Sequence, residues 1–394
     1  MADEARSGPD RFAFVDGVRG LAALSVAAYH AFVFTGHSGE SFERFGPLGK
    51  VVALGAYGVP VFIVLSGFVL MLPATRSDGL ELRGGTARFF QRRARRIVPP
   101  YLAALGLFLL VIAAVPAFRD PQGTRWAGKV PVTWDGVLAH LLMIHNLRPE
   151  WSSQVDGPMW SVATEVQMYL LMPFVLLPLW RRAGGAATVA VATLVGVAVH
   201  WLAPSLDCAH YWYVALFAGG MLVAELATRG TRPGRAAAAA AAVALMVFLV
   251  GRGRFDIGEH DWLVEPVLGV VVCVGLLSLC TSDAEAPAGR VVRLLESRPI
   301  LFLGLISYSV YLFHSPILGM TNVALIDVDM PLGARLLLMW LVVLPAAMAF
   351  SFVMFLLVER RFLTSHQRAV VLAHEGSESA GPLVGTSETA PSLR

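Results

Sequence analysis

The chain has 394 residues, of which 56% are hydrophobic and 15% charged, well below the roughly 25% charged residues of a soluble domain. A mean hydropathy of +0.64 and several apolar runs near the ~20 residues that cross a bilayer exclude a soluble globular protein. The formal charge is only +3 and the basic residues gather at the ends of apolar runs, where membrane topology already explains them, so a nucleic-acid partner has no support.

Strand alternation of the barrel type is absent, so the expected fold is an all-α polytopic membrane protein. The apolar runs predict about ten transmembrane helices, near 12–34, 51–72, 98–116, 160–179, 186–202, 210–226, 236–251, 262–280, 299–320 and 333–357. Loop charge tests this count. With both termini cytoplasmic, the cytoplasmic side holds the seven arginines from Arg76 to Arg96, Arg181, Arg182, Arg229, Arg232, Arg235, Arg290, Arg293, Arg298 and the tail arginines. The opposite side holds Arg44, Lys50, Arg119, Arg125, Lys129, Arg148, Arg252 and Arg254, a bias that follows the positive-inside rule. The expected organisation is a short cytoplasmic tail (1–10), one transmembrane domain (11–363) and a polar, disordered cytoplasmic tail (364–394). The first apolar run is interrupted by Asp16 and Arg19, so a cleaved secretory signal is not expected.

The first span, RFAFVDGVRGLAALSVAAYHAFVF, carries Asp16, Arg19 and His30. On one helix Arg19 and His30 stand about three turns and roughly 16 Å apart on nearly the same face, and Asp16 is one turn from Arg19, within pairing reach. Such groups are expensive in lipid and should face a bundle interior. In the second span, Ser66 reads first as helix glue or a turn former, because no base beside it is legible.

The segment ARFFQRRARRIVPPYL brings Arg88, Arg92, Arg93, Arg95 and Arg96 together before the third span. Much of one helical face becomes cationic, suited to anionic lipid headgroups or to the phosphates of a soluble cofactor. Residues 117–159 form a long non-spanning region with the short piece WDGVLAHLLMIHNL at 134–147, suited to lying at the interface or dipping into the bundle. His140 and His145 are five apart and do not share a helical face, so they make a poor metal pair. Cys208, Cys273 and Cys280 have no ligand spacing either, and no metal is expected.

Glu165 lies inside the fourth span with Trp160 and Ser161 about one turn away, and must find a cation or a proton donor. Spans five to eight carry little chemistry, with Asp207, His210, Glu265 and the DIGEHD segment (256–261) assigned to outer rims. In span nine, Tyr311 and His314 share a face. His314 either positions a substrate or packs with Tyr311.

These pieces resemble acyltransferase family 3, integral membrane proteins that move acyl groups from acyl-coenzyme A onto hydroxyls. The resemblance is carried by FVDGVRGLAALSVAAYH (14–30), VFIVLSGF (61–68), RRARRIVPPYL (92–102), WSVATE (160–165) and GLISYSVYLFHSPIL (304–318). It departs from the family at Glu359, Arg360 and Arg361, where the third position is often proline, and no appended extracytoplasmic domain is read in the chain.

The resemblance implies that His30 is the catalytic histidine and that Arg19 serves the acyl-coenzyme A site, with Asp16 orienting it. Arg92, Arg93 and Arg96 are then placed at the cosubstrate's phosphates, and no cofactor is permanently bound. Glu165 is taken as catalytic, holding protonated His30 or an acceptor hydroxyl, while Ser66, Trp160, Tyr311 and His314 contact the acceptor or serve structure. The expected partners are acyl-coenzyme A from the cytoplasm, a sugar or glycosylated metabolite as acceptor, and the lipid bilayer of a bacterial cytoplasmic membrane. The oxygen of the thioester needs a donor, and a separation of roughly 16 Å leaves Arg19 too far from His30 to be it. A proton-coupled transporter is the alternative reading, although no paired halves with broken helices are visible.

Overall fold

The computed structural model describes residues 12–77, 79–254, 260–281 and 287–363. The two tails (1–10 and 364–394) and most of the DIGEHD segment lie outside the described residues. Among the described residues every regular element is helical. The main helices are α1 (Phe14–Val33), α2 (Glu40–Val52), α3 (Gly58–Met71), α4 (Gly85–Ala114), α5 (Trp134–Leu141) and α6 (Met159–Ala183). They continue with α7 (Gly185–Leu202), α8 (Tyr213–Thr228), α9 (Arg235–Arg254), α10 (Asp261–Cys280), α11 (Pro287–Leu295), α12 (Arg298–Leu325) and α13 (Leu332–Leu357).

Each predicted span falls on a helix, but among the described residues seven are long and apolar enough to cross a membrane, not ten. Two more, Tyr213–Thr228 and Arg235–Val250, are apolar but shorter. The first span is not among the seven, since Asp16, Arg19 and His30 lower the hydropathy of α1. The chain is an all-α polytopic membrane protein.

α1 is the element the others are built around. Its tightest partner is α12, and the contact is made by glycine: a Cβ on Gly304 would strike the Asp16 carbonyl, and one on Gly20 would meet the backbone of Leu303 and Gly304. Small residues at such crossings let backbones approach, which is how membrane helices gain packing energy without a hydrophobic driving force. α3 and α8 use the same device, Gly67 against the Phe217 carbonyl and Gly220 against that of Val64.

Between α4 and α6 the chain folds over one end of the bundle. α5 leaves Trp134 90% exposed, with Leu138, Leu141 and Leu142 also exposed. That apolar face, outside any packed core, suits the membrane interface. His140 and His145, although off a common helical face, stack with ring centroids 3.8 Å apart. The reason is the chain reversal after α5, where Met143 takes φ +54°.

Candidate active site

The close α1–α12 crossing brings together two histidines that lie 284 residues apart. His30 Nδ1 and His314 Nε2 are 2.7 Å apart, with rings nearly coplanar at 16°. His314 Nδ1 lies 2.7 Å from the Val310 carbonyl, which only accepts, so His314 Nδ1 carries a proton. In neutral His314, Nε2 is then the lone pair, and His30 Nδ1–H donates to it. His30 Nε2 is left as the basic nitrogen, and among the described residues no hydrogen bond engages it. Tyr311 does pack with His314, ring centroids 6.1 Å apart, and its hydroxyl also bonds Ser161 Oγ at 2.6 Å.

His30 lines a cavity of about 660 Å³ between the bundle and the 115–158 segment. Two small pockets lead away from it. The first, about 40 Å³, shares Val59 and Tyr311 with the cavity and is also lined by Arg19, Glu165 and Tyr308. The second, about 20 Å³, shares Arg19, Glu165 and Tyr308 with the first and ends at Ser66, Tyr169, Arg93 and Arg96. Arg93 Nε is buried with no hydrogen-bond partner. The series therefore runs from a cationic end at α4, past Arg19, to His30.

Several expectations change here. No ion pair forms between Asp16 and Arg19; the helix turns Arg19 into the pockets while Asp16 presents its backbone to Gly304. Arg92 is exposed and lines no pocket, because the inward face of α4 at this level is the Arg93/Arg96 pair. Glu165 does not reach His30. It accepts from Tyr169 Oη at 2.5 Å and from Ser66 Oγ. Ser66 thus anchors a carboxylate in the inner pocket and stands away from the histidine pair. Glu359 is buried, accepts from Ser309 Oγ at 2.6 Å and lies in electrostatic reach of Arg96 and Arg19.

On the cavity wall Trp160 stacks on His210, centroids 4.2 Å apart. Beside them Glu265 is buried rather than at a rim, and accepts from Trp212 Nε1 at 2.6 Å and Tyr213 Oη at 2.9 Å. His210, Asp261 and Glu265 place one ligand atom each within 4.8 Å of one another, a grouping able to hold a metal ion. Burial lowers His210 to about 4. Lys129 also lines the cavity; burial lowers it, against the raising charge of nearby Asp156, whose own carboxyl burial raises. Neither residue had a signal in the sequence beyond the rarity of lysine, since Lys50 and Lys129 are the only two.

The site thus sets a histidine pair at a large cavity and an arginine-lined pocket inside a helical membrane bundle. Residues 12–357 match the family described as "Acyltransferase domain", acyltransferase family 3, and the chain belongs to that family. It is 24% identical over 334 residues to the peptidoglycan O-acetyltransferase OatA of Listeria monocytogenes, covering 78% of this chain and 49% of OatA. It is 31% identical over 178 residues to the acyltransferase MdmB of Streptomyces mycarofaciens, covering 44% of this chain and 40% of MdmB. Similarity to the exopolysaccharide production protein ExoZ of Rhizobium meliloti reaches 29% identity over 278 residues, 68% of this chain and 78% of ExoZ. The alignments to OatA and MdmB span about half or less of those proteins. No solved structure matches the chain. Family membership and the long apolar helices make it a multi-pass plasma-membrane protein with an acyltransferase domain.

Proposed function

We propose that the protein transfers an acyl group, acetyl by default, from acyl-coenzyme A to a hydroxyl of a sugar-containing acceptor, with His30 as general base. The observation that carries this reading is the position of His30. Its Nδ1 is committed to His314, its basic Nε2 is unengaged, and it lines a cavity reached through pockets that end in Arg93 and Arg96. The reading takes ten helices across the bilayer with both termini cytoplasmic, and residues 11–363 as one catalytic domain. The amino end of α4 then faces the cytoplasm and the 115–158 segment faces outward.

Arg93 and Arg96 hold the anionic end of the coenzyme, where guanidinium groups suit phosphate. The pantetheine arm follows the two inner pockets past Arg19 and Tyr308, which must part to admit it. The acceptor enters the large cavity, where Trp160 offers an apolar ring and Asp261 and Glu265 offer acceptors to sugar hydroxyls. His30 Nε2 removes the hydroxyl proton as oxygen attacks the thioester carbon. His314 supports the imidazolium that forms. The C–S bond breaks, His30 returns the proton to the departing sulfur, and ester and free coenzyme A result.

The names of OatA and ExoZ tie two relatives to peptidoglycan and exopolysaccharide, which favours a glycan acceptor for this chain as well. The transporter alternative accounts for neither the family match nor the cationic pocket. The deciding experiment holds the purified full chain in nanodiscs with labelled acetyl-coenzyme A and a panel of glycan fragments and glycosylated metabolites. Labelled product is expected with wild type and absent with His30→Ala, while coenzyme A binding by calorimetry is retained. Failure of wild type to bind coenzyme A overturns the reading.

A further inference from the structure

Acyl transfer as proposed leaves one charge without an answer, the negative charge that gathers on the thioester oxygen as the hydroxyl adds. Arg19 lines the inner pockets and not the cavity of His30. Lys129 does line that cavity. It sits where the sequence gives no hint of chemistry, in the turn after a one-turn helix at Arg125–Gly128.

Its surroundings are unusual for a lysine. The residue is 5% exposed. Its Nζ stands 6.0 Å from the centre of the Phe34 ring, and that ring is 6.2 Å from the His30 ring. Nζ also occupies the space that a Cβ at position 157 would need, which glycine leaves open. Among the described residues no acceptor hydrogen-bonds Nζ and no carboxylate lies within 4.0 Å of it. Asp156 is the opposing charge within electrostatic reach; it is 0% exposed and neither of its carboxylate oxygens has a hydrogen-bond partner. A buried ammonium with open N–H groups is costly unless something fills them. The open side of this one is the cavity in which the reaction would take place. A chain that otherwise relies on arginine has here the smaller, point-like cation.

We infer that Lys129 is a further catalytic residue of this acyl transfer, its ammonium stabilising the oxyanion on the thioester carbonyl while His30 holds the hydroxyl proton. Asp156 is the positioning residue that keeps Lys129 charged and turned to the cavity. The inference rests on the acyl-transfer reading above. As the acceptor oxygen bonds to carbon, the carbonyl π pair moves onto oxygen, and Lys129 donates hydrogen bonds to it without surrendering a proton. When the carbonyl re-forms, the C–S bond breaks and sulfur takes the proton from His30.

The test uses the full chain in nanodiscs with acetyl-coenzyme A, methyl glycosides and water as acceptors, and released thiol as the signal. Lys129→Met and Lys129→Gln are expected to lower kcat about 10²–10³-fold, with coenzyme A affinity and melting temperature near wild type. Lys129→Arg, which keeps the charge, is expected to recover part of the loss. The groups in electrostatic reach of Lys129 are Asp156, Arg125, His30, His314 and His140. Of these, Asp156 is the one whose charge holds the lysine protonated, so Asp156→Asn should move the alkaline limb of the rate profile to lower pH and Lys129→Arg to higher pH. A structural lysine would leave that limb in place. Wild-type kcat in the folded Met and Gln variants overturns the inference, as does a loss confined to coenzyme A affinity. Wild type that binds coenzyme A but releases no more thiol than His30→Ala overturns the acyl-transfer reading, and this inference with it.

Discussion

The proton on His314 Nδ1 is fixed by a backbone carbonyl, and that single fact orders the rest of the histidine pair. Val310 cannot donate, so His314 must, and His30 is left with its basic nitrogen free. In this arrangement a neutral imidazole occupies the place that a carboxylate holds in the better-known serine hydrolase triads. His314→Ala is therefore expected to lower kcat about 10²–10⁴-fold while leaving coenzyme A affinity unchanged, as measured by turnover and calorimetry on the same sample. Of these two residues the sequence spoke clearly for one. His30 is marked by its spacing from Arg19, a local property of one helix. His314 is local too, but its meaning lies on another helix 284 residues away, which no periodicity reports. The same holds for Glu165, whose partner Ser66 is 99 residues distant, and for Lys129 and Asp156, which meet through loop geometry.

Helices were far more legible than their pairings. Each predicted span falls on a helix because runs of apolar residues leave the backbone no other way to satisfy its hydrogen bonds in lipid. The face turned by α4 was legible only in part: Arg92, Arg93 and Arg96 were read together at the phosphates, whereas Arg93 and Arg96 line the inner pocket and Arg92 is exposed. Periodicity gives the stripe and not the neighbour it meets. The decisive contact is between α1 and α12, where Gly304 rests on the Asp16 carbonyl. Gly304→Val is expected to force these helices apart, with a destabilisation of about 1–3 kcal/mol. A lowered melting temperature in nanodiscs, together with loss of turnover, would register it. The corresponding change at Gly67, on the α3–α8 crossing, should cost stability while disturbing the histidine pair less.

Across the whole molecule, three spaces in series join a cationic pocket to the cavity of His30, and their sizes are very unequal: about 20, about 40 and about 660 Å³. The middle one is bounded by Tyr308, Tyr311, Glu165 and Arg19. A protein that carries a reactive group from one side of a bilayer toward the other must also remain an electrical insulator. At rest this middle space has room for only about three water molecules, and Tyr311 and Ser161, hydrogen-bonded to each other, both line it. Membrane potential and proton gradient would otherwise discharge through the same route proposed for the pantetheine arm. Removing the Tyr311 ring should turn the enzyme into a leak. Proteoliposomes holding Tyr311→Ala are expected to lose an imposed pH gradient, read by an entrapped dye, faster than wild type, and saturating coenzyme A should slow that loss by plugging the channel it occupies.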